Sequence, residues 1–205
     1  MAIEQINPIF SIAILIVSVV AHEVSHGYVA DMLGDPTARL AGRLTLNPLK
    51  HIDPLGSIVV PLLTSMAGFA FGWAKPVPYN PYNIQNGNRG VAMVAAAGPL
   101  TNIFIATVFA VIIKTRALDG LLPNEIISLL VYIVIINLVL AIFNITPIPP
   151  FDGSKIIFSL LPYKYKKVEE FFERNQLLIL FIFIFFIWGM IITPILNFAL
   201  NFILS

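Results

Sequence analysis

Residues His22-Glu23-Val24-Ser25-His26 have the types and the spacing of a site that binds zinc and activates water. His22 and His26 are four residues apart, so in a helix their imidazoles lie on one face and can reach the same ion. Glu23 follows the first histidine. Its carboxylate there can take a proton from a water bound to that ion and pass it to a leaving amine. The alternative is a buried histidine pair bonded only to backbone or to Ser25.

The composition indicates that this pattern lies in a membrane protein. Hydrophobic residues make up 58% of the 205, charged residues 11%, and the mean hydropathy is +0.89. Ionisable residues within apolar spans are rare and usually functional. The net charge of +1 gives no reason to expect a nucleic acid partner. Because the chain has no cysteine, any metal must be held by His, Asp or Glu.

The elements that position the motif are predicted to be helices that cross a bilayer. Apolar runs at 8–33, 90–113, 123–145 and 177–204 are long enough to cross. The run at 55–72 is either re-entrant or a fifth span, and short membrane-associated extended segments are expected near 40–46 and 75–82. We therefore predict an all-α polytopic membrane protein with about four full transmembrane helices. It forms one domain over 1–205, with its core at about 8–160.

Basic residues favour the re-entrant alternative. If 55–72 returns to its starting face, ten lysines and arginines lie on that face and two, Lys114 and Arg116, on the other. If it crosses, the division is seven against five. Loops rich in Lys and Arg remain in the cytoplasm, so we expect a multi-pass protein of the cell membrane with this basic face in the cytoplasm.

A catalytic zinc takes three protein ligands and keeps one position open, so a third ligand is needed. The candidates are Asp31, Asp35, His51, Asp53 and Asp152. Asp152 is favoured because it follows the prolines of the sequence NITPIPPFDG, which must break a helix near membrane depth. The alternative is an aspartate that caps the following helix. His22 lies about 21 Å along its helix from Pro8, near the basic face. In the re-entrant topology Asp152 is close to that same face.

These motifs resemble those of the site-2 protease family of intramembrane zinc metalloproteases. HEVSH, AAAGPLTN and NITPIPPFDG occur in the family's order, and the resemblance extends over about residues 18–160. It implies one zinc ion per chain held by His22, His26 and Asp152, with Glu23 as the base. It also implies a role for Asn144 in holding the substrate or its reacting carbonyl. The sequence resembles the small branch of the family that has no PDZ or cystathionine-synthase-like domain.

Two of three further features have two interpretations each. Asn102, in the matched Gly-Pro-x-x-Asn motif, either packs helices together or donates to the oxyanion of the reaction. Gly98 of the same motif is expected to let helices approach closely. The sequence GWAKPVPYNP either pairs with an extended substrate as an edge strand or is a membrane-surface loop. Residues 163–175 are amphipathic and are expected along the cytoplasmic headgroups.

The predicted function is hydrolysis of peptide bonds in or near transmembrane segments of membrane-anchored protein substrates. The alternative is a metal-binding membrane transporter or a non-proteolytic homologue. A transporter's ion site has no need for a carboxylate beside the first histidine that does not bind the ion, so Glu23 favours the protease. The partners expected are the substrate and the lipid bilayer. The sequence does not indicate an oligomeric state.

Overall fold

A computed structural model of the chain describes residues 7–59, 74–115 and 122–204. Within these ranges the protein is mainly helical and has no β-strand, which confirms the all-α prediction. The helices are α1 (Pro8–Met32), α2 (Thr37–Leu40), α3 (Asn88–Lys114), α4 (Asn124–Ile145), α5 (Asp152–Leu160), α6 (Lys166–Arg174), α7 (Gln176–Ile182) and α8 (Trp188–Leu204).

In these ranges, four helical stretches are long and apolar enough to cross a bilayer: Pro8–Met32, Asn88–Lys114, Asn124–Ile145 and Gln176–Phe202. The last joins α7 and α8 through a π-helical turn at Phe183–Ile187. Their bounds lie within two residues of the predicted spans, so the prediction of four transmembrane helices is confirmed.

Helices α1 and α3 run antiparallel, because His22 lies beside Asn102 and His26 beside Val94. The carbonyl of Leu33, just after α1, accepts a hydrogen bond from the N–H of Gln85, just before α3 (2.8 Å). The chain therefore leaves α1 and enters α3 on the same face, as the re-entrant topology requires. Of the predicted run 55–72, the structure describes only the part within a π-helical segment at Pro54–Val59. Residues 60–72 lie outside the described ranges.

The predicted extended segments contain no paired strand. Residues 41–47 are turns and irregular backbone, and residues 74–80 are non-helical. Hydrogen bonds at both ends hold the second segment. The N–H of Lys75 donates to the carbonyl of His51 (2.9 Å), and Arg43 donates to the carbonyl of Lys75 (2.7 Å). At the far end, the N–H of Asn80 donates to Asp35 (2.6 Å).

Asp35 is fully buried and joins the exit of α1 to this segment. Burial alone would raise the pKa of its carboxyl. Hydrogen bonds from the Thr37 hydroxyl, the Asn80 N–H and the Asn83 amide instead hold that pKa below its usual range. The ionised carboxylate therefore stabilises the fold above the carboxyl's ordinary pKa. This contribution is lost as the pH falls through the lower, folded value.

We expect Asp35→Asn to lower the free energy of unfolding by about 1–3 kcal/mol at neutral pH, because the new NH₂ faces hydrogen-bond donors. Thermal unfolding in detergent measures the loss. The difference from wild type should shrink in acid, once the wild-type carboxylate is protonated as well. A difference that does not depend on pH would contradict the assigned charge.

Candidate metal centre

Helices α1 and α5 bring three buried side chains to one point. His22 Nε2 and His26 Nε2 are 3.2 Å apart, and each lies 3.1 Å from Asp152 Oδ2. Two donors bound to a zinc ion at about 2.0–2.1 Å in tetrahedral geometry would be about 3.3 Å apart. The three atoms therefore have the spacing of one face of such a site. This is the one group of three possible metal ligands found among the described residues.

The hydrogen bonds of the imidazoles point their lone pairs at this centre. His26 Nδ1 lies 2.7 Å from the carbonyl oxygen of Val94, which can only accept, so Nδ1 carries the proton. His22 Nδ1 lies 2.5 Å from Asn102 Oδ1 in the same manner. In the neutral rings both Nε2 atoms are then acceptors, and they face a carboxylate oxygen. Three acceptors at this distance repel one another unless a cation or a proton lies between them.

Asp152 supplies negative charge at this point. Burial opposes the ionisation of its carboxyl. When a proton lies between the carboxylate and the facing Nε2 atoms, hydrogen bonds from His22 and His26, together with the charge of Lys155, hold the pKa of the carboxyl far below the usual range. Lys155 Nζ lies 3.5 Å from the other carboxylate oxygen.

The break between α4 and α5 gives Asp152 its position. After α4 ends at Ile145, prolines 147, 149 and 150 prevent the helix from continuing. Gly153 then packs against the end of α4, where a Cβ atom would come within 2.1 Å of the Ile145 carbonyl oxygen. This contact holds the first turn of α5, and with it Asp152, against α4.

Gly98 on α3 lies directly against the two imidazoles of the centre. A Cβ atom at this position would lie 2.5 Å from His22 Nε2 and 2.5 Å from His26 Nε2. The sequence had suggested only that Gly98 lets helices approach closely. In the structure the space of its missing side chain is adjacent to the donor atoms.

We expect Gly98→Ala to weaken zinc binding at least tenfold, because the added methyl group displaces both imidazoles. Competition with a chromophoric chelator measures the dissociation constant. Gly189→Ala is the matched control, since a Cβ atom at that helical glycine meets nothing within 4 Å. Equal zinc affinity in the two variants would contradict the geometry.

Glu23 is half-buried beside the centre, and its Oε2 accepts a hydrogen bond from the N–H of Val77 (3.0 Å). For Oε1 no hydrogen-bond partner is found in the described part of the chain. The segment 74–80 therefore holds the carboxylate by one oxygen. Three of its backbone donors, those of Lys75, Val77 and Asn80, are bonded within the protein.

The other candidates for the third ligand lie elsewhere. Asp31 forms an ion pair with Arg39 (3.3 Å), and Asp35 joins α1 to the segment 74–80. His51 Nε2 donates to the carbonyl of Thr45 (2.9 Å), and Asp53 accepts from the backbone N–H of Leu55.

The two asparagines have different surroundings. Asn102 is fully buried. Its side-chain oxygen accepts from His22 Nδ1, and its NH₂ donates to Asn137 Oδ1 (2.9 Å). Both ends of the amide are therefore hydrogen-bonded inside the protein. Asn144 is half-buried in the last turn of α4, and its NH₂ donates to the carbonyl of Leu140 (3.0 Å). Within the described ranges, no hydrogen bond joins Asn144 to the three candidate ligands.

Sequence reasoning missed Asn137 and Ser18. Asn137 is fully buried, and its NH₂ donates to the Ser18 hydroxyl (3.0 Å). A signal was present, because an amide inside the apolar run VIINLVLAIF needs a partner. The hydrogen bond from Arg43 to the segment 74–80, and the one from Val77 of that segment to Glu23, left no such signal.

Comparison with known proteins finds one family of zinc metalloproteases. Residues 112–187 match peptidase family M50. YwhC of Bacillus subtilis, whose name describes it as a zinc metalloprotease, is 34% identical over 192 residues, covering 89% of this chain and 84% of YwhC. Rip2 of Mycolicibacterium smegmatis, similarly named, is 27% identical over 74% of this chain and 60% of its own length. MJ0611 of Methanocaldococcus jannaschii, also named as a zinc metalloprotease, is 46% identical over 68 residues, 31% of each chain. No solved structure matches.

Proposed function

This chain belongs to peptidase family M50, the site-2 protease family of intramembrane zinc metalloproteases, and we propose that His22, His26 and Asp152 hold its zinc while Glu23 activates the water. The enzyme is a zinc metallopeptidase with a protein substrate and a membrane setting. One zinc ion per chain satisfies the three proposed ligands. We further propose a single catalytic domain over 1–205, with its core at 8–160.

One observation carries this proposal: the Nε2 atoms of two buried imidazoles and the Oδ2 atom of a buried carboxylate lie 3.1–3.2 Å from one another. Gly98 supports this arrangement, because the absence of a side chain lets α3 lie directly against both Nε2 atoms. A catalytic zinc takes three protein ligands and keeps one position open, and these three atoms can supply the ligands.

The proposed chemistry divides between the ion and the side chains. Bound zinc polarises a carbonyl and lowers the pKa of water. Glu23 takes a proton from the attacking water and later delivers it to the amine that leaves. The hydrogen bond from Val77 holds the carboxylate by Oε2 and leaves Oε1 for this transfer. The Nδ1–H groups of His22 and His26 donate to the Asn102 side-chain oxygen and the Val94 carbonyl, so neither imidazole is assigned a part in proton transfer.

We propose membrane-anchored proteins as substrates, cleaved in or near a transmembrane segment. His22 and His26 lie on a helix long enough to span a bilayer, so the peptide must reach the centre from within or beside the bilayer. Asn144 is proposed to hold the substrate or the reacting carbonyl. It stands in the last turn of α4, before the chain turns toward Asp152. Asn102 is proposed to position His22, because its amide is fully used inside the protein.

We propose that the protein lies in the cell membrane with its site toward the cytoplasm. The ends of α1 and α4 and the start of α3 share one face, and the sequence places ten of the twelve basic residues there. Helix α6, which accounts for most of the predicted amphipathic segment 163–175, begins with Lys166 and Lys167 and would lie along the headgroups. Phe172 of this helix contacts Phe158 of α5.

Removal of the metal tests the proposal. Purified protein should contain one zinc per chain, and a strong chelator should abolish cleavage of a membrane-anchored test substrate. Added zinc should restore it. His51→Ala, which alters the buried histidine outside the cluster, should retain the zinc. If this control loses its zinc, or if the apoprotein remains active, the assignment is wrong.

A further inference from the structure

We infer that Asn137 is a positioning residue that sets, through Asn102, which nitrogen of His22 is presented to the metal. The inference rests on the proposed zinc site and extends it to a buried hydrogen-bond chain across α1, α3 and α4. The chain consists of Ser18, Asn137, Asn102 and His22. Asn102 and Asn137 are fully buried, and Ser18 is 4% exposed.

The direction of every bond in this chain is fixed from one end. The amide of Asn137 lies 2.9 Å from the backbone carbonyl of Ile133, which can only accept. Asn137 must therefore turn its NH₂ toward Ile133 and Ser18, and its oxygen toward Asn102. A carbonyl that belongs to the helix backbone thus removes the ambiguity that an asparagine amide otherwise has.

The next step follows from the same reasoning. Because the side-chain oxygen of Asn137 faces Asn102, the NH₂ of Asn102 must donate to it, and the two atoms are 2.9 Å apart. The second contact of that NH₂, with the backbone carbonyl of Ser18 (3.4 Å), requires the same orientation. The oxygen of Asn102 is then left facing His22 Nδ1.

The orientation of the Asn102 amide determines the tautomer of His22. Opposite an oxygen, Nδ1 must carry the proton, and the lone pair is on Nε2, directed at Asp152 and His26. With the amide of Asn102 reversed, an NH₂ would face Nδ1 and favour the tautomer whose proton points into the metal site. Groups that orient a metal-binding histidine in this way typically change metal affinity 10–100-fold when removed.

His26 needs no such chain. Its Nδ1 donates directly to the backbone carbonyl of Val94, which has only one orientation. The partner of His22 is a side-chain amide with two unlike ends, and of the two bonds that orient it the one to Asn137 is the shorter. This difference supplies a test that separates positioning from packing.

The test measures zinc dissociation constants by chelator competition, and the visible spectrum of the cobalt-substituted protein. Asn137→Leu should weaken zinc binding about tenfold or more and change the cobalt spectrum. Asn102→Asp places a carboxylate opposite His22, and both of its oxygens accept. In the Asn102→Asp background, Asn137→Leu should therefore change zinc affinity by less than about threefold.

Packing alone predicts another pattern. If Asn137 only joins helices, its replacement costs the same affinity in both backgrounds, and that outcome would overturn the inference. Thr107→Val is the matched control on α3, because the exposed hydroxyl of Thr107 bonds only within its own helix. If Asn137→Leu does not fold, Asn137→Ala removes the same amide with a smaller side chain.

The failure of this inference is distinguishable from the failure of the zinc site. His26→Ala is measured in the same assay and should lose the zinc. If His26→Ala loses the zinc while Asn137→Leu keeps wild-type affinity, the positioning role of Asn137 is contradicted and the zinc site is supported. If His26→Ala retains the zinc, the site itself is misassigned.

Discussion

Glu23→Gln is expected to reduce cleavage by at least about 10²–10⁴-fold, the usual contribution of a general base, while the zinc content stays at one per chain. The amide oxygen of glutamine can still accept the hydrogen bond that the N–H of Val77 gives to Glu23. The segment 74–80 should therefore keep its place. What is lost is the ability to take a proton from water. Cleavage of a membrane-anchored substrate and metal analysis of the same preparation measure the two effects.

Glu125→Gln is the matched control for this variant. Glu125 is an exposed acid in the first turn of α4, and its replacement should leave both cleavage and zinc content unchanged. Wild-type cleavage by Glu23→Gln would show that another group moves the proton. Loss of zinc from Glu23→Gln would instead mean that Glu23 helps to hold the ion, as a ligand or through the segment that it anchors.

The spans were predictable because they depend on composition over about twenty residues. Long apolar runs form helices in a bilayer whatever their neighbours are, so the predicted bounds needed no knowledge of packing. The pair His22 and His26 was equally accessible, since helical spacing alone brings both to one face. Asp152 needed a further argument, from the proline break and from the face on which its span ends.

The surroundings of the site could not be predicted in the same way. The bond between Val77 and Glu23 joins residues 54 positions apart, and its donor is a backbone N–H that any residue except proline would supply. Gly98 was read as a packing residue because its proximity to two imidazoles depends on how α1 lies against α3. Asn137 could have been suspected from its apolar surroundings. Its effect on His22 depends on the Ile133 carbonyl, which orients it.

Asp152→Ala is expected to release the zinc that wild-type protein retains through the same purification. The substitution removes the anionic ligand of the proposed three and leaves two neutral imidazoles on α1, too few for a stable protein site. Since no atom replaces the carboxylate, the fold should tolerate the change better than it tolerates Gly98→Ala, where a methyl group enters an occupied space. Metal analysis and chelator competition measure the loss, and Asp31→Ala is the control, because Asp31 pairs with Arg39 away from the centre. Unchanged zinc content in Asp152→Ala would mean that the third ligand lies elsewhere. Asp53 would be the next residue to test, because the His51→Ala control already examines the other candidate in that loop.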